Sequence, residues 1–180
     1  SWPITLRPLT LTIDDDTMTE TATHFIDFEA SSLDLVASYP IEVGVCLASG
    51  ETKSWLIKPH VVWKDWSERA FRIHGITQET LQSEGLDVSQ VAEELNDFLQ
   101  GDVYCDAWTF DSFWLHRLYK AAGCKPNFEL DSIATLLSNS QVEKWQEMHK
   151  SVIAELGLDR HRAENDAIIL HETWSRLKDI

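Results

Sequence analysis

Apolar and polar positions alternate early in the chain and then change period. Residues 1–21 show no clear period and are expected to form an extended acidic leader. Three strand-like segments follow, at 23–28, 41–48 (IEVGVCLA) and 52–58 (TKSWLIK). Their short separations, with Gly50 at the second turn, predict antiparallel pairing. Segment 64–73 is helical in part and runs into HGIT, after which Thr77 can cap a short helix to residue 83. Asp87-Val-Ser-Gln90 has the spacing of a capping box, and Val88, Val91, Leu95, Phe98 and Leu99 then recur at helical spacing up to Gly101. A short strand is expected at 103–106 and a helix at 111–122, stopped by Gly123 and Pro126. A fifth strand at 127–130 leads to Asp131, placed to cap the next helix, whose inner face would be Val142, Trp145, His149, Val152, Ile153 and Leu156. The last helix, about 162–178, turns Ala163, Ala167, Leu170, Trp174 and Leu177 inward. Strands followed by alternating helices and strands predict a layered α/β fold on a mixed sheet.

Size and charge narrow the picture. A chain of 180 residues suits one domain with a full core, expected over 22–180. No apolar run approaches a membrane span, and no basic-then-apolar start marks a secretory signal. Cys46, Cys105 and Cys124 are far apart and odd in number, which predicts reduced thiols and a cytoplasmic protein. The net charge of −15 predicts weak non-specific binding to nucleic acid. It does not exclude a nucleic-acid substrate, because binding depends on the local field, and Arg160 and Arg162 flank a histidine.

Candidate chemistry sits in three places. In THFIDFEASSL, Asp27 and Glu29 fall two apart on the first strand, so both point to one face, about 7 Å apart. Like charges repel by about 4 kcal/mol at ~4 Å and an effective dielectric near 20, so such a pair needs water or a cation. In CDAWTFDSFWLHRLY, Asp111 lies in the first turn of a helix among apolar neighbours, where it could simply favour the helix N-terminus. In LDRHRAENDAIIL, His161 precedes the final helix and Asp166 lies within it; with His161 in the entry loop, both can reach one pocket. His60 and Asp65 share that spacing but follow Pro59 at a strand end, and are read as a coincidence.

Taken in order, these segments resemble the motifs of the DEDDh family of 3′–5′ exonucleases. FIDFEASSL resembles the first motif, DAWTFDSFWL the second (H-N-A-x-F-D-x-x-F-L), and HRAENDA the third (H-x-A-x-x-D-A). FRIHGIT matches the H-G-I segment frequent between the first two. The chain departs from the family at Asp106-Ala107-Trp108, where His-Asn-Ala is usual, and at Ala30-Ser31-Ser32, where Thr-Thr-Gly is usual.

The resemblance implies an RNase H-like fold, a five-stranded mixed sheet flanked by helices. It implies that Asp27, Glu29, Asp111 and Asp166 hold two Mg²⁺ ions, with Mn²⁺ able to substitute, and that His161 is the general base. Ala30, Leu33, His74 and Trp108 would lie beside the substrate: Leu33 at a position that wedges against the terminal base, Trp108 in motif two beside Asp111, His74 ordering a nearby loop. Asp106 occupies the place of the family's histidine and is not counted as a ligand. Most other tryptophans are expected in the core. The expected partner is the 3′ end of single-stranded DNA or RNA, cut to nucleoside 5′-monophosphates, by a protein acting alone, as a homodimer or as a subunit of a complex, without a membrane. An exoribonuclease trimming RNA, a non-catalytic scaffold of the same fold, and a hydrolase of small phosphodiesters remain alternatives.

Overall fold

The computed structural model describes residues 22–180; the acidic leader expected at 1–21 lies outside them. The first strand, β1 (His24–Ala30), pairs antiparallel with β2 (Pro40–Cys46), which pairs antiparallel with β3 (Thr52–Leu56). On its other side β1 pairs parallel with β4 (Gly101–Cys105), and β4 with β5 (Phe128–Ser132). The sheet therefore runs β3-β2-β1-β4-β5, with β1 at its centre. The layered α/β fold on a mixed five-stranded sheet is the architecture that the sequence pattern predicts.

Helices cover both faces. The larger apolar layer takes Ile26, Phe28 and Ala30 from β1 and packs them under α3 (Val88–Phe98) and α4 (Trp108–Ala122). The opposite face of β1 presents Phe25, Asp27 and Glu29. Phe25 is sealed there by Leu170 of α6 (Ala163–Leu177), beyond which lies α5 (Asn139–Leu156). Two short helices, α1 (Glu68–His74) and α2 (Gln78–Glu84), link β3 to α3, capped by Ser67 and, as expected, Thr77.

Gly44 explains how α6 reaches the sheet. A Cβ at that position would lie 2.3 Å from the backbone of Ala163 and Glu164, so the absence of a side chain lets the first turn of α6 rest directly on β2. Gly44 is paired with Asp27 and Glu42 with Glu29, which sets the start of α6 over the two acids.

Some local expectations need correction. Asp131 lies inside β5 and caps nothing; Ser132 caps a short 3₁₀ turn, and Ser138 forms a capping box with Gln141 at the start of α5. Asp87 sits at the N-cap of α3 without a side-chain cap bond, so its box with Gln90 does not form. Helix α4 starts three residues early, at Trp108, because the turn after β4 needs only Asp106 and Ala107. Val142 and Leu156 are exposed, since α5 packs on the rest of the fold chiefly through α6 and buries only a narrow stripe.

Candidate active site

Asp27 and Glu29 project from one face of the central strand. Asp27 Oδ2 is buried with no hydrogen-bond partner. Asp111 reaches the same region from the first turn of α4, and its Oδ2 is likewise buried and unpartnered. Asp166 arrives in the first turn of α6, where its Oδ1 accepts from Arg160 Nε at 3.1 Å and the His161 N–H at 3.3 Å. One ligand atom each of Glu29, His161 and Asp166 fall within 4.8 Å of one another. The structure thus brings together all five residues of the three sequence motifs.

The acids pay electrostatically for this convergence. Burial, then the charges of Asp111, Glu29, Asp166 and Asp106, holds the Asp27 carboxyl well above the usual carboxylate range. Glu29 is pushed up to about 9, first by burial, then by Asp166 and Glu42. Burial raises Asp111 to about 8, although the Cys105 thiol beside it pulls the other way. Buried carboxylates with unused oxygens form a hard, anionic donor set, and a divalent cation would remove the repulsion that raises them. The residues present fit such an ion.

His161 has a left-handed backbone, φ 64°, alone among the non-glycine described residues. That conformation costs an L-residue about 1 kcal/mol and clusters at functional sites. It is held by two anchors. Asp166 takes the His161 N–H, and Glu42 takes the next two residues: Ala163 N–H donates to its Oε1 at 2.8 Å and Arg162 Nη2 to its Oε2 at 2.6 Å. Thr52 and Ser54 of β3 secure Glu164 in the same turn.

The sequence reading missed several neighbours. A cavity of about 50 Å³ is lined by Asp27, Asp166, Asp106, His149 and Arg160, with Ile169 and Leu170 behind. Asp106 therefore faces the acids, and His149 reaches the same cavity from α5. The ring of His149 stacks on Trp145 at 5.7 Å, and burial lowers its pKa. Glu42, paired with Arg162, had no local signal, because its partner is 120 positions away. A larger hollow of about 570 Å³ lies at the other end of α6, near His171 and Trp174, and shares no residue with the acids.

The residues expected beside a substrate divide. Trp108 is 48% exposed and Leu33 71% exposed, so both are open to a ligand. The side chain of Ala30 is packed into the core beneath the sheet and is not presented to the site. His74 is buried; its Nδ1 accepts from the Ile76 N–H at 3.0 Å and orders the loop after α1, while its Nε2 has no partner. Trp55, Trp63 and Trp114 are core residues. Asp65 accepts from Ser31 Oγ at 2.8 Å and Ser32 Oγ at 2.6 Å, tying two loops together, while His60 packs on Trp63. This pair has a local structural use, as the coincidence reading expects.

No family model and no curated protein matches the chain. Solved structures do. The chain is similar to the zinc-bound form of an E. coli ExoI–ssDNA complex at 13% identity and TM-score 0.65, over 88% of this chain and 41% of that one. It is similar to a 3′-exonuclease with 3′-end specific recognition of a histone mRNA stem-loop at 18% identity and TM-score 0.64, over 88% of this chain and 64% of that one. An exonuclease I from Methylocaldum szegediense aligns at 16% identity and TM-score 0.54, over 69% and 29%. The chain spans less than two thirds of the length of each of these proteins. At such identities the likeness establishes the fold alone, the RNase H-like architecture of a five-stranded mixed sheet flanked by helices.

Proposed function

We propose that this chain is a metal-dependent 3′–5′ exonuclease that hydrolyses the terminal phosphodiester of single-stranded nucleic acid and releases nucleoside 5′-monophosphates. The observation that carries the reading is the meeting of two buried carboxylates, Asp27 and Asp111, each with one unpartnered oxygen, with Glu29, Asp166 and His161 at one point of an exonuclease-type fold.

Asp27, Glu29, Asp111 and Asp166 are the residues that would hold two divalent ions, Mg²⁺ or Mn²⁺. When bound, such ions supply charge stabilisation for the attacking and leaving oxygens of an in-line displacement at phosphorus. His161 takes the proton from the attacking water, a task for which imidazole is the side chain most often used. Its left-handed backbone fixes the ring beside Glu29 and Asp166. Exposed Trp108 offers a face for the terminal base, where stacking contributes about 1–3 kcal/mol, and Leu33 offers an apolar edge.

The test is digestion of 5′-labelled single-stranded DNA and RNA of one sequence, with Mg²⁺, with Mn²⁺ and with chelator. A cation-dependent ladder shortening from the 3′ end is expected, and the faster strand identifies the substrate. Two intact strands under every condition would replace the enzyme with a protein-binding scaffold of the same fold.

A further inference from the structure

An acidic site that receives a phosphodiester needs a cation that the metal ligands do not consume. Two arginines flank His161. Arg160 is engaged by Asp166 through Nε. Arg162 is held differently. Its Nε and Nη2 make a forked contact with both oxygens of Glu42, at 3.1, 3.2 and 2.6 Å. That leaves Nη1 without a partner among the described residues, on a side chain 46% exposed. Glu42 itself is buried and anchored by the Ala163 N–H at 2.8 Å, so the guanidinium is fixed to the sheet. It also lies within electrostatic reach of Glu29 and Glu164.

A simple staple for α6 would not require this arrangement. The Ala163 N–H bond to Glu42, the Gly44 contact and the Thr52 and Ser54 bonds to Glu164 already fasten the first turn. What Arg162 adds is a planar donor with one edge locked and the other open, next to His161. A guanidinium held in this way loses little further freedom on taking an anion, and its fork suits phosphate oxygens.

We propose that Arg162, pre-set by buried Glu42, is the phosphate-binding residue of the site and takes a non-bridging oxygen of the strand beside the bond that is cut. This rests on the exonuclease reading and adds to it the group that meets the substrate's backbone. The ligand class is a nucleic-acid phosphodiester, independent of base.

The experiment compares the wild type with the double substitution Glu42→Gln/Arg162→Ala, which removes the guanidinium without stranding a buried carboxylate and keeps an acceptor for Ala163. Fluorescein-labelled 12-nucleotide single strands of DNA and RNA are titrated by anisotropy, with Ca²⁺ in place of Mg²⁺, at several salt concentrations. Exonuclease KM and kcat are measured in Mg²⁺. Loss of one phosphate contact is expected to reduce the slope of log K against log salt by about 0.7, and to raise KM roughly tenfold while kcat stays within a few-fold. Should the double variant fail to fold, Arg162→Lys keeps the charge but loses the fork, and a KM raised several-fold is expected. Wild-type affinity, salt slope and KM in the variant that folds would overturn this inference alone and leave the pair as a fastening for α6. A wild-type protein that neither bound nor cut either strand would overturn the exonuclease reading and this inference with it.

Discussion

The single residue that best reports on the site is His161, because two physical effects meet there. Its imidazole lies beside Glu29 and Asp166, and its backbone is left-handed. His161→Ala is expected to lower kcat by about 10²–10⁴-fold, the range of general-base catalysis, while the thermal midpoint changes little. His161→Gly should lose activity equally but gain about 1 kcal/mol of stability, because glycine adopts that φ without strain. Paired kinetics and thermal unfolding check both; a His161→Ala variant with wild-type kcat would remove the proposed base. Asp27 gives a complementary expectation. Its unpartnered oxygen is a cost in the metal-free protein. Asp27→Asn should raise the metal-free midpoint by several degrees, on the order of 1 kcal/mol, and abolish the stabilisation by Mg²⁺ that thermal shift is expected to show for the wild type.

At the scale of elements, the site depends on the seating of α6 on the sheet. Gly44 permits that contact, and a methyl group there meets backbone atoms that cannot move aside cheaply. Gly44→Ala is expected to destabilise the fold by about 1–3 kcal/mol, as overpacking does, and to reduce activity by displacing the turn that carries His161 and Asp166. Chemical denaturation and kinetics on the same preparation check it. Normal stability with normal activity would show that α6 does not need this close approach. The helix boundaries themselves were legible where a signal was local. Thr77 and Gly123 punctuate as their chemistry predicts. Asp131 did not, because the ladder with β4 extends through Asp131 and Ser132 and carries the strand past the expected cap.

For the whole molecule, the buried acids link stability to pH and to cations. Glu29 at about 9 and Asp111 at about 8 stand far above their ordinary values of 4.5 and 3.8. Between those limits the folded protein holds protons that the unfolded chain has released. Metal-free stability is therefore fully present below about pH 4, as far as these groups decide it, and is lost as pH rises through 8–9. Divalent cations act in the opposite sense, so the gain in midpoint on adding Mg²⁺ should grow from pH 5 to pH 9. Glu29→Gln should flatten the metal-free slope. Thermal unfolding across pH, with chelator and with Mg²⁺, checks this; a slope unchanged by Glu29→Gln would assign it to the general negative charge of the chain.

The sequence alone determined what depends on near neighbours along the chain. The alternation around Phe25-Ile26-Asp27-Phe28-Glu29 places two acids on one side of a strand, and the run from Ala163 to Leu177 makes an amphipathic helix, whatever lies across from them. The order of the acidic motifs brought His161, Asp111 and Asp166 into view because each sits at the start of a legible helix or in its entry loop. Only the tertiary structure decided which charges face one another. Glu42 binding Arg162, Asp106 turned toward Asp27, and His149 entering from α5 have no mark in local pattern, since contacts between distant segments are fixed by strand register and helix seating. The same physics separated Trp108, left exposed at the start of α4, from Trp114, buried less than two turns later by the core it packs against.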